Sequence, residues 1–152
     1  MVVSSIGPWA ISVVMVTLGS TSIWYKLSIY FYLHFQYNGW FILALCSILF
    51  YLLETAGAVI AKKDYSMFLN LLVSSVILSF FLSVLWVEPP VIFYILAGLG
   101  AILQIGAFYK LFLIIRPTRE LIENTLQPWT HWLLKLAGVF LIGKIFMQLL
   151  TM

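Results

Sequence analysis

Long apolar runs alternate with short polar breaks along this chain, and the breaks define its organisation. The first run, residues 2–19, ends in Gly19-Ser20-Thr21-Ser22. A second pattern begins near Trp24 and reaches Ala61, which as one helix would be about 57 Å long at 1.5 Å per residue, more than a bilayer needs. Its buried part is therefore expected over 34–61, with Trp24 and the nearby tyrosines in the interface. Lys62-Lys63-Asp64 closes it. A third run, 66–87, stops at Glu88-Pro89-Pro90, because proline lacks an N–H and restricts the residue before it. A fourth, 91–115, stops at Arg116-Pro117, and a fifth covers 129–152. Between them, 117–127 sets Arg119, Glu120 and Glu123 among Leu121, Ile122 and Leu126, a pattern that predicts a short amphipathic helix with Pro117 near its first position. In hydrocarbon only helices and closed barrels satisfy their backbone groups, and these runs are too long for barrel strands. The predicted fold is all-α: one transmembrane domain over 1–152, a polytopic helical bundle of about five spans with one short interfacial helix.

Composition supports that reading. Of 152 residues 64% are hydrophobic and 9% charged, with a mean hydropathy of +1.11, whereas soluble domains are about a quarter charged. The lipid bilayer is the first partner implied. The net charge of +3 does not indicate nucleic acid, because the basic residues are scattered rather than gathered in a stripe. They read instead as topology signals. Lys62, Lys63, Arg116 and Arg119, with Lys110 close by, fall on one side of a five-span chain; Lys26 and Glu88 fall on the other. The positive-inside rule then places the N-terminus in the cytoplasm. A single cysteine, Cys46, excludes a disulfide framework. No GxSxG, Walker A, GxGxxG or HExxH is present, and no internal repeat.

An ionisable group inside a span costs at least ~2.5 kcal/mol on insertion scales and so points to an escape route or a function. At α-helical spacing Tyr30, His34, Tyr37, Asn38 and Phe41 share one face. His34 is a candidate axial ligand for haem or copper, with Tyr37 or Asn38 orienting its second nitrogen; the alternative is a histidine hydrogen-bonded to a neighbouring helix. Lys144 and Gln148, spaced i,i+4, either snorkel outwards or face a polar interior shared with His34, Tyr37 and Glu88. His131 lies in a Trp129–Trp132 belt and reads as interfacial anchoring. Glu54 is expected to pair with Lys62, Lys63 or Lys110, the alternative being that it carries a proton. Ser75, Ser79 and Ser83 at four-residue spacing, with Ala97, Gly98, Gly100, Ala101 and Gly106, read as helix-packing positions, and Gln104 needs a partner within the bundle.

The block Tyr-Phe-Tyr-Leu-His-Phe-Gln-Tyr-Asn-Gly-Trp-Phe at 30–41 resembles a motif in a family of largely uncharacterised bacterial polytopic membrane proteins, themselves distantly similar to the haem-copper oxidase catalytic subunit. Ser-Ser-Ile-Gly-Pro-Trp-Ala at 4–10, Leu-Leu-Lys-Leu-Ala at 133–137 and Lys-Ile-Phe-Met-Gln-Leu at 144–149 are similar as well. The resemblance implies a multi-pass protein of the bacterial inner membrane with a haem or metal site near the outer face. His34 would be the ligand, Tyr37 and Asn38 its support, and Lys144 with Gln148 a polar or proton-conducting contact. Family members are longer and carry further histidine-bearing helices. The chain is accordingly expected to be a middle section, partnered by further transmembrane helices of a longer chain or complex and supplying at most one ligand. The rival expectation is a non-catalytic helical membrane subunit or small transporter with a polar intramembrane site.

Overall fold

A computed structural model describes residues 2–118, 121 and 127–150. Helix α1 spans Val2–Leu18. Ser22 caps α2, Ile23–His34, by accepting a bond from the Tyr25 amide at 3.2 Å, as expected of a serine at an N-cap. The helix then widens into a π segment, Phe35–Phe41, and continues as α3, Ile42–Thr55. Helix α4 covers Lys62–Ser79 and tightens into a 3-10 segment, Phe80–Val87. Helix α5, Val91–Ile115, ends in a 3-10 turn at Arg116–Thr118, and α6 covers Pro128–Leu150. No strand occurs among the described residues.

The protein is an all-helical membrane protein. Ile23–Thr55, Lys62–Val87 and Val91–Thr118 are long and apolar enough to cross a bilayer, with α1 a shorter apolar helix. Large apolar side chains stand exposed along the spans, as at Ile92, Ile95, Leu99, Ile102 and Phe112 of α5. A surface of that kind needs lipid or protein against it. The interfacial helix expected over 117–127 lies outside the described residues except at Pro117, Thr118, Leu121 and Gln127.

The second helical run differs from the expected 34–61. It begins at Ile23 and stops at Thr55, six residues before Ala61. The cause is Gly57, at φ +95°. Its amide donates to Glu54 O at 3.0 Å while the Ala58 amide donates to Leu53 O at 2.9 Å. That pair of bonds is the Schellman ending, which favours glycine because a Cβ disfavours positive φ.

The chain folds as two compact units, Met1–Ser47 with Val76–Gly100, and Ile48–Ser75 with Ala101–Met152. In the first, α1 packs on α2 where Gly7 meets Tyr32; a Cβ at Gly7 would lie 2.5 Å from the Tyr32 Cβ. Gly100 of α5 lies against the backbone at Leu78–Ser79, and a Cβ there would fall 2.5 Å from the Ser79 nitrogen. The expected role of small residues in close helix approach is thus met at Gly100 and the buried Ser79.

In the second unit Phe50 packs on Tyr65 and Phe68 at ring-centroid distances of 5.0 and 5.4 Å. Lys110, one of the three lysines expected as partners of Glu54, pairs with Asp64 at 2.7 Å; Glu54 itself is exposed. Gln104 is buried at 5% exposure, yet no hydrogen bond joins its side chain to the described residues. A buried amide without a partner costs about 1–3 kcal/mol. Gln104→Met, close in shape and without the amide, is therefore expected to stabilise the protein by about 1–2 kcal/mol. Reversible unfolding in mixed micelles measures it.

Candidate functional site

Two departures from α-helical geometry meet at His34. A π turn accommodates one extra residue and so shifts everything after it by about 100° relative to a regular helix. A 3-10 helix has three residues per turn and stacks every third side chain in one row. Phe80, Ser83 and Trp86 form such a row, and it faces Tyr30, Phe31 and His34 of α2. Phe80 meets the His34 ring edge-on at 5.6 Å and Phe31 at 5.5 Å, while Trp86 meets Tyr30 at 5.6 Å. Ser83 consequently leaves the four-residue row expected with Ser75 and Ser79. Those two are buried and donate to carbonyls three residues back, Ser75 to Leu72 at 2.8 Å and Ser79 to Val76 at 3.4 Å.

His34 is 6% exposed. Its Nε2 donates to the Val76 carbonyl oxygen at 2.9 Å. A carbonyl can only accept, so Nε2 carries a proton, and the Asn38 amide nitrogen, which can only donate, makes Nδ1 the acceptor of a neutral ring. Asn38 Nδ2 donates to Nδ1 at 3.2 Å and Ser83 Oγ donates to it at 3.3 Å. The histidine thereby ties α2, the π segment, the end of α4 and the 3-10 segment into one polar knot within the first unit. Phe35 and Phe80 wall it off, and Phe35 lies 5.3 Å from the imidazole.

Of the residues expected around His34, Asn38 is in place. Tyr37 is not: it is 60% exposed, and Phe41 is 48% exposed, whereas Tyr30, one regular α-helical turn before His34, stays on its face against Trp86. The shared face assumed regular α-helical spacing, and the π segment breaks that spacing between His34 and Phe41. Two partners were missed. Ser83 is found only when residues 80–87 are read with a period of three, and the Val76 carbonyl has no side-chain signal at all. Lys144 is half-buried and belongs to the second unit. The side chains of Gln148 and His131 lie outside the described residues. Trp129 and Trp132 are 79% and 72% exposed.

A haem or copper ion needs a nitrogen lone pair. Here Nε2 carries a proton held by Val76, and the Nδ1 lone pair faces two donors, so ligation through either nitrogen breaks at least one of these bonds. As placed, the residues do not fit an axial ligand. No group of three His, Cys, Asp or Glu gathers elsewhere among the described residues. The fold and site together define a class, a multi-pass helical membrane protein with an internally hydrogen-bonded histidine at a pair of helix irregularities. No family model, curated protein or solved structure matches the chain.

Proposed function

We propose that this is a non-catalytic helical subunit or scaffold of a membrane, in which His34 is a structural tie rather than a cofactor ligand. One observation carries the reading: both ring nitrogens of His34 are engaged by groups of the same unit. Helix irregularities expose backbone carbonyls that hydrocarbon cannot satisfy, and they persist only where protein supplies the partner. Near the α-to-3-10 change the Val76 carbonyl accepts from both Ser79 Oγ and His34 Nε2. The charge distribution supports a multi-pass orientation with the N-terminus in the cytoplasm, since Lys62, Lys63 and Arg116 flank one side. A bacterial inner membrane is the setting this orientation suits.

Expression with haem supply, followed by absorption spectroscopy and metal analysis of the folded protein, tests the reading. No Soret band and substoichiometric iron and copper are expected. A Soret band in the wild type that disappears in a folded His34→Gln variant would overturn it and restore ligation by His34.

A further inference from the structure

Helix α4 carries a row of polar residues, among the exposed Met67, Val73 and Ile77, on the side turned away from its own core. Phe68, Leu72 and Ser75, at i, i+4 and i+7, form its buried face in the second unit. Ser66, Asn70 and Ser74, at i, i+4 and i+8, are exposed on the other side, along a groove of about 500 Å³ that Lys63, Leu71 and Leu103 also line. A span facing lipid alone would be apolar there. Asn70 lies eight residues beyond Lys62, about 12 Å along the helix axis, a depth that belongs to hydrocarbon rather than to the interface.

None of these three side chains has a hydrogen-bond partner among the described residues. Hydroxyls elsewhere in the helices find an acceptor, Ser12, Thr17, Ser47 and Thr55 at a carbonyl four residues back and Ser75 and Ser79 at one three back. Leaving the Asn70 carboxamide in lipid unpaired costs upwards of about 2 kcal/mol. A second helix bearing matching donors and acceptors removes that cost, and interhelical amide bonds are a recognised source of association in membranes.

The chemistry favours a second copy as that helix. Copies of one chain insert in one orientation, so a twofold axis along the membrane normal brings each residue to its own counterpart at equal depth. A carboxamide is self-complementary, its oxygen accepting from the amide of the other copy and its nitrogen donating in return. The serine hydroxyls also donate and accept, and their small size lets the backbones approach. Lys63 ends the groove near the membrane surface, where water and ions screen it from its counterpart. We propose that Ser66, Asn70 and Ser74 form the interface of a parallel homodimer, with Asn70 bonded to Asn70 of the second copy.

The test is oxidative cross-linking in native membranes on a Cys46→Ala background, with Ser66→Cys and Ser74→Cys at the interface. Ile102→Cys, on α5 and 66% exposed, is the lipid-facing control. Disulfide-linked species of twice the chain mass are expected from the two serine positions and not from Ile102→Cys. In liposomes, fluorescence transfer between labelled copies should show that Asn70→Leu raises the dissociation constant by about tenfold, the order of one interhelical hydrogen bond. Cross-linking keeps Asn70 intact, so it stands even if Asn70→Leu folds poorly. The proposal is overturned by equal cross-linking at Ile102→Cys, by no cross-link at either serine position, by products of some other mass, or by an Asn70→Leu variant that folds and dimerises like wild type.

Discussion

Gly100→Ala is expected to destabilise the protein by about 3 kcal/mol or more, at the upper end of what overpacking costs. Its added Cβ would lie 2.5 Å from the Ser79 nitrogen, 2.7 Å from the Leu78 carbonyl carbon and 2.9 Å from the Ser79 Cα. All three are backbone atoms, so no side chain can swing aside; α4 and α5 must separate. Gly106 of the same helix is the control, since a Cβ there meets nothing within 4 Å. Gly106→Ala should be neutral or stabilising by up to about 1 kcal/mol through helix propensity. Unfolding of the two variants in mixed micelles separates contact from propensity, and similar values for both would remove the close approach at Ser79.

His34→Leu is expected to cost about 3 kcal/mol, because it removes three hydrogen bonds worth about 1 kcal/mol each, to the buried Val76 carbonyl and to the half-buried Asn38 amide and Ser83 hydroxyl. His34→Gln should cost about 1 kcal/mol, since its amide nitrogen can still donate to the Val76 oxygen. The ordering is diagnostic. A structural tie tolerates glutamine and rejects leucine, whereas a ligand lost to either change would leave folding stability nearly level between them. The same unfolding assay reads both variants.

Much of the helical organisation is legible from polarity alone. The proline pair after Glu88 and the break at Arg116-Pro117 mark helix ends that the structure also has, because proline removes a helical N–H and restricts the residue before it. Gly57 marks another, and it is masked by the apolar residues on either side, which continue the hydropathy of the span without continuing its geometry. The site is legible only in part. His34 stands out as an ionisable group in an apolar run, and Asn38 follows from spacing. Tyr37 and Ser83 are misplaced by the assumption of a uniform 3.6-residue period, for which a π and a 3-10 segment substitute periods near four and three. The Val76 carbonyl could not be read at all, since a backbone acceptor carries no residue-type signature.

The neutral, Nε2-protonated state of His34 is the point on which the structural reading rests, and nitrogen-15 NMR of histidine-labelled protein in lipid observes it directly. The chain has two histidines, so His131→Gln assigns the signals. The expected spectrum shows a proton on Nε2 and an unprotonated, hydrogen-bonded Nδ1, unchanged when haem or copper is added. A free Nε2 lone pair, or a ring signal displaced by added haem or copper, would contradict it.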